Sequence, residues 1–218
     1  MGKLIVIDGL DGSGKATQAE LLFNKLKNID EKTIKLSFPN YSDESSALIK
    51  MYLAGNFGSN PEEVNPYAAS SFYAVDRYAS YKKYWEKKYL SGYNIICDRY
   101  VTSNIIHQMA KFKNTEWEYF VNWVEDYEYN KLKLPKPDKV IYLDVDLAIS
   151  QNLIKKRCDL KKIKKDIHEK DIFYLERCKQ AVDYISELEK WNVINCCNNN
   201  GNMYDVEFIN EQILKILF

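Results

Sequence analysis

Seven residues near the start of the chain have the types and spacing of a phosphate-binding loop. The pattern G-x-x-x-x-G-K is fitted by Gly9, Leu10, Asp11, Gly12, Ser13, Gly14 and Lys15. Glycine permits backbone angles that side chains block, so successive N–H groups can turn toward phosphate oxygens. Lys15 then reaches the β- and γ-phosphates as a point charge. The stretch therefore predicts binding of a nucleotide polyphosphate.

The loop departs from the usual pattern directly after its lysine. Ser or Thr is expected there, because that hydroxyl helps to hold Mg²⁺, but the residue is Ala16. Thr17 points about 100° further round a helix of roughly 3.6 residues per turn. Mg²⁺ commonly keeps several waters and needs only one or two protein ligands. We therefore expect carboxylates and phosphates to hold the metal without that hydroxyl.

Asp98 and Arg99 form a second candidate group. They follow the apolar run at 94–97, which is typical of a buried strand. Ligands bind outside the carboxyl ends of the strands in open parallel sheets. Asp98 could accept Mg²⁺ there, directly or through water, and Arg99 could clamp a second phosphate. Since phosphoryl transfer needs two substrates in line and cations against the developing charge, this pattern predicts a phosphotransferase.

The elements that position these residues alternate along the chain. Strands are predicted at 4–8, 33–38, 94–97, 139–144 and 192–196. Helices are predicted from 15, at 45–54 with Ser45 as N-cap, at 66–90, 102–111, 115–129, 147–157 and 171–190, and from 205. The fold class is therefore α/β: a P-loop NTPase-type five-stranded parallel sheet with helices on both faces, in one domain over 1–218.

The segment at about 158–170 is rich in lysine and shows no apolar face. Because it lies between two predicted helices, it could be a short mobile lid over the site. A solvated charged loop would have the same composition, so both interpretations stay open.

Composition excludes several classes of protein. Lys plus Arg and Asp plus Glu number 31 each, so no overall field recruits nucleic acid or an anionic membrane. The five cysteines form no C-x-x-C pair and there are two histidines, which disfavours a zinc site. An odd cysteine number, no secretory signal and no apolar run near 18 residues favour a reduced, soluble, cytoplasmic protein. A GTPase would need Asn-Lys-x-Asp, and neither Asn-Lys pair is followed by that Asp.

Four blocks of sequence, taken together, resemble the thymidylate (dTMP) kinases over nearly the whole chain. They are Asp8 to Lys15, Phe38-Pro39, Ala74-Val75-Asp76-Arg77 and the run from Asp98 to Asn104. The resemblance implies transfer of a phosphoryl group from ATP to dTMP, giving dTDP, with Mg²⁺ and with Gly9 to Thr17 around the ATP phosphates. It also implies a homodimer.

The resemblance implies roles for residues around the acceptor phosphate. Arg99 and Tyr41 would clamp that phosphate, and Phe38 would shape the pocket. Asp11 resembles the carboxylate near the sugar and the transferring phosphate.

Other positions would surround the thymine base and the sugar. Tyr73 takes the place of the ring that stacks on thymine. Arg77 would donate to a thymine carbonyl, and Asn104 would read the base edge. His107 stands where the family often has an aromatic side chain beside the sugar, and an imidazole is smaller and polar.

Family members place a catalytic arginine either in the phosphate loop or in the lid. Here Gly12 occupies the loop position, so the chain resembles the lid type, with Arg157 as the arginine at the edge of the lid. The lid itself holds lysines, which supply charge but not a bidentate fork, so the residue that takes this role stays open. With Arg157 in it, the catalytic residues implied are Asp11, Lys15, Arg99 and Arg157.

Two other functions stay open. One is another small P-loop kinase acting on a different nucleotide or on a nucleoside. Arg99 and Tyr41 favour a phosphorylated acceptor, since a nucleoside would leave that arginine unpaired. The other is a non-catalytic nucleotide-binding protein, suggested by Ala16 and the lysine-rich segment.

Overall fold

The computed structural model describes residues 1–162, 166–198 and 201–218, and within these ranges five parallel strands form one sheet. The strands are β1 Leu4–Asp8, β2 Thr33–Ser37, β3 Asn94–Asp98, β4 Lys139–Asp144 and β5 Asn192–Asn195. Their order is β2-β3-β1-β4-β5, with Ile7 of β1 opposite Asp98 of β3. The carboxyl ends of β1 and β3 are therefore neighbours, as the predicted sheet requires.

Helices connect these strands. The α-helices of the described residues are α1 Lys15–Ile29, α2 Ala47–Leu53, α3 Pro66–Ser80, α4 Glu86–Leu90, α5 Val101–Met109, α6 Trp117–Glu125, α7 Leu147–Lys161, α8 Ile167–Lys170, α9 Ile172–Leu188 and α10 Val206–Leu217.

Successive side chains of β1 point to opposite faces of the sheet, and each face carries an apolar core. Leu4 and Val6 belong to the cluster formed with α5, α6 and α9. Ile5 and Ile7 belong to the cluster formed with α1 and α10. The predicted α/β fold with helices on both faces is confirmed.

Two of the predicted long helices contain a π-helical turn. The helix predicted at 66–90 consists of α3, the π turn Tyr81–Trp85 and α4. The helix predicted at 115–129 consists of α6 and the π turn Asp126–Lys131, and a 3-10 turn precedes it. A π turn changes the direction of the side chains that follow it. The second π turn contains Glu128, whose side chain is buried.

The predicted N-cap Ser45 is wrong. The Asp43 carboxylate accepts the backbone N–H of Ser45, and the 3-10 turn Glu44–Ser46 precedes α2. Aspartate is as good a capping residue as serine, and here it lies one residue before the turn that begins the helix.

The predicted absence of an apolar face at 158–170 is also wrong. The helix predicted to end at 157 continues as α7 to Lys161. Asp166 then caps α8, and Ile167 in α8 is 4% exposed, packed with Tyr52. The described helix α8 thus packs against the Tyr52 side through an apolar side chain. Its residues 163–165 lie outside the described residues.

Among the described residues, none of the helices combines the length and the apolar character needed to span a bilayer.

Candidate active site

A cavity of about 650 Å³ opens at the carboxyl ends of β1 and β3. It is lined by these predicted site residues: Asp11, Gly12, Gly14, Lys15, Ala16, Phe38, Tyr41, Tyr73, Arg77, Asp98, Arg99, Asn104, His107 and Arg157. Four predicted residues of the phosphate-binding loop do not line it: Gly9, Leu10, Ser13 and Thr17. Leu10 points into the core instead. The cavity thus joins all four of the sequence blocks with the predicted lid arginine.

The phosphate-binding loop is held against α7. Gly12 has φ +80, and a Cβ there would lie 2.7 Å from the carbonyl oxygen of Ser150, so the position requires glycine. The Ser150 hydroxyl donates to the carbonyl of Asp11. Lys15 Nζ donates to the Leu10 carbonyl at 3.1 Å and lies 3.5 Å from Asp11 Oδ1. Burial and the nearby Arg99 lower the pKa of Lys15.

Arg99 leaves β3 with φ +67, an uncommon angle for a side-chain-bearing residue. Its Nη2 donates to Asp11 Oδ1 at 2.5 Å, and its Nη1 donates to Ser103 Oγ at 3.2 Å. Although burial by itself raises the pKa of Asp11, the Arg99 guanidinium and Lys15 hold that pKa well below its usual range. Two cations and one carboxylate therefore converge at this end of the cavity.

Asp8, which was not predicted as a site residue, ties the loop to α5. Its carboxylate accepts the Gly9 N–H at 2.8 Å, the Ser103 hydroxyl at 2.6 Å and the Thr102 hydroxyl. The end of β1 thereby fixes both the loop and the serine that contacts Arg99.

Asp98 lies at the end of β3 with one carboxylate oxygen unpaired. Its Oδ2 accepts the Ser37 hydroxyl at 3.4 Å, while Oδ1 is buried and has no hydrogen-bond partner among the described residues. Burial raises the pKa of Asp98, and Lys15 opposes that shift. A buried, unpaired carboxylate oxygen beside the phosphate-binding loop is a suitable ligand for a hard cation.

The opposite end of the cavity holds a buried ion pair that sequence reasoning missed. Arg77 donates to Glu128 from Nε at 2.7 Å and from Nη2 at 2.5 Å. Asn104 donates its Nδ2 to Glu128 Oε1 at 3.2 Å, and its Oδ1 is buried without a partner in the described part of the chain. Glu128 thus orients both residues. The signal in the sequence is slight: an acidic residue between two tyrosines in an aromatic-rich helix.

The segment after α7 contributes three cavity residues that were not predicted, namely Asp166, His168 and Glu169. Arg157 donates to the Glu169 carboxylate. The ring of His168 stacks on His107 with centroids 5.1 Å apart. The capping pattern Asp166-x-x-Glu169 was the available sign that this stretch folds.

The fold and the site define a P-loop phosphotransferase. A glycine-rich loop, a helix N-terminus and Lys15 together are suited to hold an anion, and Arg99 begins a second part of the same cavity that ends at Arg77 and Asn104.

Comparisons with known proteins narrow this class. The family model for thymidylate kinase matches residues 7–204. A protein of Pyrobaculum aerophilum named as a probable thymidylate kinase is 33% identical over 153 residues, which cover 70% of each chain. The thymidylate kinase of Mycobacterium tuberculosis is 32% identical over 149 residues, 67% of this chain and 68% of that one. A solved thymidylate kinase of Candida albicans has a TM-score of 0.69 at 22% identity, covering 99% of this chain and 91% of that one. The chain belongs to the thymidylate kinase family.

Proposed function

We propose that this protein transfers the γ-phosphoryl group of ATP to dTMP, giving dTDP, with Mg²⁺ as the metal. The observation that carries the proposal is the polarity of the cavity. Lys15 and Arg99 lie at one end, and Arg77 and Asn104 present a donor and an acceptor at the other. A nucleoside monophosphate has the same polarity, with an anionic phosphate at one end and a hydrogen-bonding base at the other.

The donor site would be the phosphate-binding loop from Gly9 to Thr17. Its backbone N–H groups and the N-terminus of α1 favour negative charge, and Lys15 adds a full positive charge. Lys15 Nζ lies 3.5 Å from Asp11 Oδ1. The phosphates of ATP would therefore compete with the Asp11 carboxylate for the Lys15 amine.

Asp98 would hold Mg²⁺, directly or through water, because its buried Oδ1 has no partner among the described residues. When bound, the ion would neutralise charge on the phosphates of the donor. Ala16 supplies no hydroxyl, whereas the Ser37 hydroxyl already lies beside Asp98.

Arg99 would grip the acceptor phosphate, with Tyr41 at the half-exposed mouth of the cavity and Phe38 in its wall. The guanidinium is already held by Asp11 and Ser103, so it is positioned before a ligand arrives. Asp11 would then lie between the two phosphate-bearing ligands.

The base end fits thymine or uracil and not cytosine. The amide nitrogen of Asn104 donates its hydrogen bond to Glu128, so the Oδ1 of Asn104, which has no partner among the described residues, faces the cavity as an acceptor. An N3–H of a base requires such an acceptor. Arg77 can only donate, which suits the carbonyl at position 4. Cytosine presents an acceptor at N3 and a donor at position 4, so both contacts would be mismatched. Tyr73 would stack on the ring.

Arg157 would stabilise charge that develops during transfer. It lines the cavity, Glu169 holds one end of its guanidinium, and its Nε is buried without a partner in the described ranges. The segment around 158–170 would close over ATP as a lid within the single domain.

A homodimer and a cytoplasmic location complete the proposal. Half-exposed apolar side chains lie on the neighbouring helices α2 and α3: Leu48, Met51, Val75 and Tyr78. Such a surface suits a self-complementary contact. The cysteines of the described residues are free, which suits a reducing compartment.

The proposal is tested by ADP release from ATP and Mg²⁺ with dTMP, dUMP, dCMP and dAMP in turn. We expect dTMP and dUMP to be used about 10³-fold or more better than dCMP, because a mismatched hydrogen-bonding site rejects strongly. Lys15→Ala should lower the rate by about 10²–10³-fold. Lys25→Ala, which removes an exposed pair with Glu207, is the matched control. Preference for another base, or ADP release that is independent of Lys15, would refute the proposal.

A further inference from the structure

The two histidines of the chain meet in the wall of the cavity. His107 on α5 is 7% exposed and His168 on α8 is 4% exposed, and both line the cavity. Their rings stack with centroids 5.1 Å apart and planes 17° apart. The ring of Tyr174 stacks on His107 with centroids 6.1 Å apart, and it is tilted by 43° against His168 with centroids 5.0 Å apart.

Burial favours the neutral form of both imidazoles. Burial, reinforced by Arg99, lowers the pKa of His107 to about 3. Burial and the adjacent His107 lower the pKa of His168 well below its usual value. A neutral imidazole has one N–H donor and one acceptor nitrogen, so the hydrogen-bond partners determine which is which.

The hydrogen bonds of Tyr52 indicate which ring nitrogen of His168 carries the proton. Lys111 Nζ donates to the Tyr52 hydroxyl at 2.9 Å and to the Val64 carbonyl at 3.2 Å. The charged amine has no acceptor, so with Lys111 protonated Tyr52 accepts from it and donates its own proton to His168 Nε2, 2.8 Å away. His168 therefore carries its proton on Nδ1.

The contacts of Tyr174 assign the proton of His107. The Tyr174 hydroxyl donates to the backbone carbonyl of His107 at 2.7 Å, so its oxygen can only accept from His107 Nδ1 at 3.3 Å. Cys178 Sγ, 3.7 Å from the same nitrogen, is a weaker second acceptor. His107 therefore also carries its proton on Nδ1, which leaves Nε2 as an acceptor.

The cavity thus gains one donor and one acceptor that no side chain of the described residues uses. His168 Nδ1–H and His107 Nε2 make no hydrogen bond with any residue that the structure describes. A hydroxyl group has the complementary pair of functions, since it donates one hydrogen bond and accepts others.

His107 lies within one helical turn of residues that belong to the two ends of the cavity. On α5, Ser103 contacts Arg99 of the phosphate end, Asn104 belongs to the base end, and His107 follows one turn later. The charges of Arg99, Asp11 and Lys15 act on His107. A nucleotide carries its sugar between phosphate and base, so the sugar would meet the two histidines.

We infer that His107 and His168 form a binding site for a sugar hydroxyl, so that the pocket accepts a ribonucleoside 5′-monophosphate as well as the deoxyribonucleotide. The inference rests on the proposed function, since it needs a nucleotide acceptor in this cavity. An apolar wall would leave a 2′-hydroxyl buried without a partner, at a cost in binding. The histidine pair removes that cost.

The test compares dTMP with ribothymidine 5′-monophosphate, which has the same base. We expect the wild-type kcat/KM values to agree within about tenfold. His107→Phe and His168→Phe should each raise the preference for dTMP by about tenfold or more, because a hydroxyl then loses its partner. Tyr184→Phe, which changes a ring of α9 packed on Trp117, should leave the ratio unchanged.

A second measurement does not depend on variants that fold. Because the chain has two histidines, ¹⁵N-histidine labelling of the wild-type protein gives two ring spin systems. Both should show the tautomer protonated at Nδ1. Ribothymidine 5′-monophosphate should shift His107 Nε2 and His168 Nδ1 further than dTMP does.

Three outcomes overturn the inference: more than tenfold rejection of the ribonucleotide by the wild type, a His168 ring protonated at Nε2, or ring shifts that are equal for both nucleotides. If dTMP is phosphorylated in those cases, the proposed function stands and the sugar site alone is wrong. If neither nucleotide is phosphorylated, the proposed function itself has failed.

Discussion

Replacement of Glu128 by glutamine would test how the base end of the cavity is held. Glu128 is 0% exposed and Arg77 is 2% exposed, so water cannot replace a lost partner. The substitution removes the negative charge from two hydrogen bonds of 2.7 and 2.5 Å, each of a type worth about 1.5–3 kcal/mol. Leaving a buried guanidinium without its counter-charge costs about 3–5 kcal/mol. We therefore expect the free energy of unfolding to fall by about 3–5 kcal/mol.

Urea unfolding measures this change directly. With an m value of about 2–3 kcal/mol/M, the midpoint should fall by about 1–2 M. The specificity should change too, because the glutamine amide no longer fixes which way the Asn104 amide points. We expect the preference for dTMP over dCMP to fall by about tenfold or more, the effect of one misplaced hydrogen bond.

Glu125→Gln is the matched control on the same helix. Glu125 pairs with Lys136 at 2.6 Å, but the two side chains are 24% and 53% exposed. An exposed pair contributes about 0–1 kcal/mol, so this variant should unfold close to the wild type. If Glu128→Gln lost no more stability than Glu125→Gln, the reasoning about the buried pair would be refuted.

Two further perturbations address catalysis and pH. Arg157→Ala should lower kcat by about 10²-fold or more, less than the ~10³–10⁵ of a full arginine finger; exposed Lys156→Ala is the control, and an unchanged kcat would remove Arg157 from the mechanism. Burial lowers the pKa of Lys111 to about 7, against about 10.4 in an unfolded chain. Between these values the unfolded chain binds the additional proton, so stability should rise with pH from about 7 to about 10. Lys111→Met should flatten that rise and exposed Lys113→Met should not; equal slopes in all three proteins would contradict the buried-lysine explanation.

Local features of the sequence were sufficient to predict the architecture of the fold and the phosphate-binding end of the cavity. The apolar run before Gly9, the glycine spacing and the amphipathic pattern after Lys15 involve neighbours in the chain, and such patterns set backbone periodicity directly. The same holds for the alternation of strands and helices, which placed Asp98 and Arg99 at the rim of the sheet. The boundaries near 125 and 161 differed because π turns and the docking of α8 depend on packing.

What the tertiary structure alone decided is which side chains meet across the cavity. Arg77 and Glu128 are 51 positions apart, and Arg99 and Asp11 are 88 apart. Nothing in the periodicity around a residue reports a partner at that distance, because the partner is set by how whole helices pack. The stacked histidines and the orientation of Asn104 belong to the same category. The sequence determined the fold and the chemistry of phosphate binding, whereas packing between distant elements determined the residues that contact the base and the sugar.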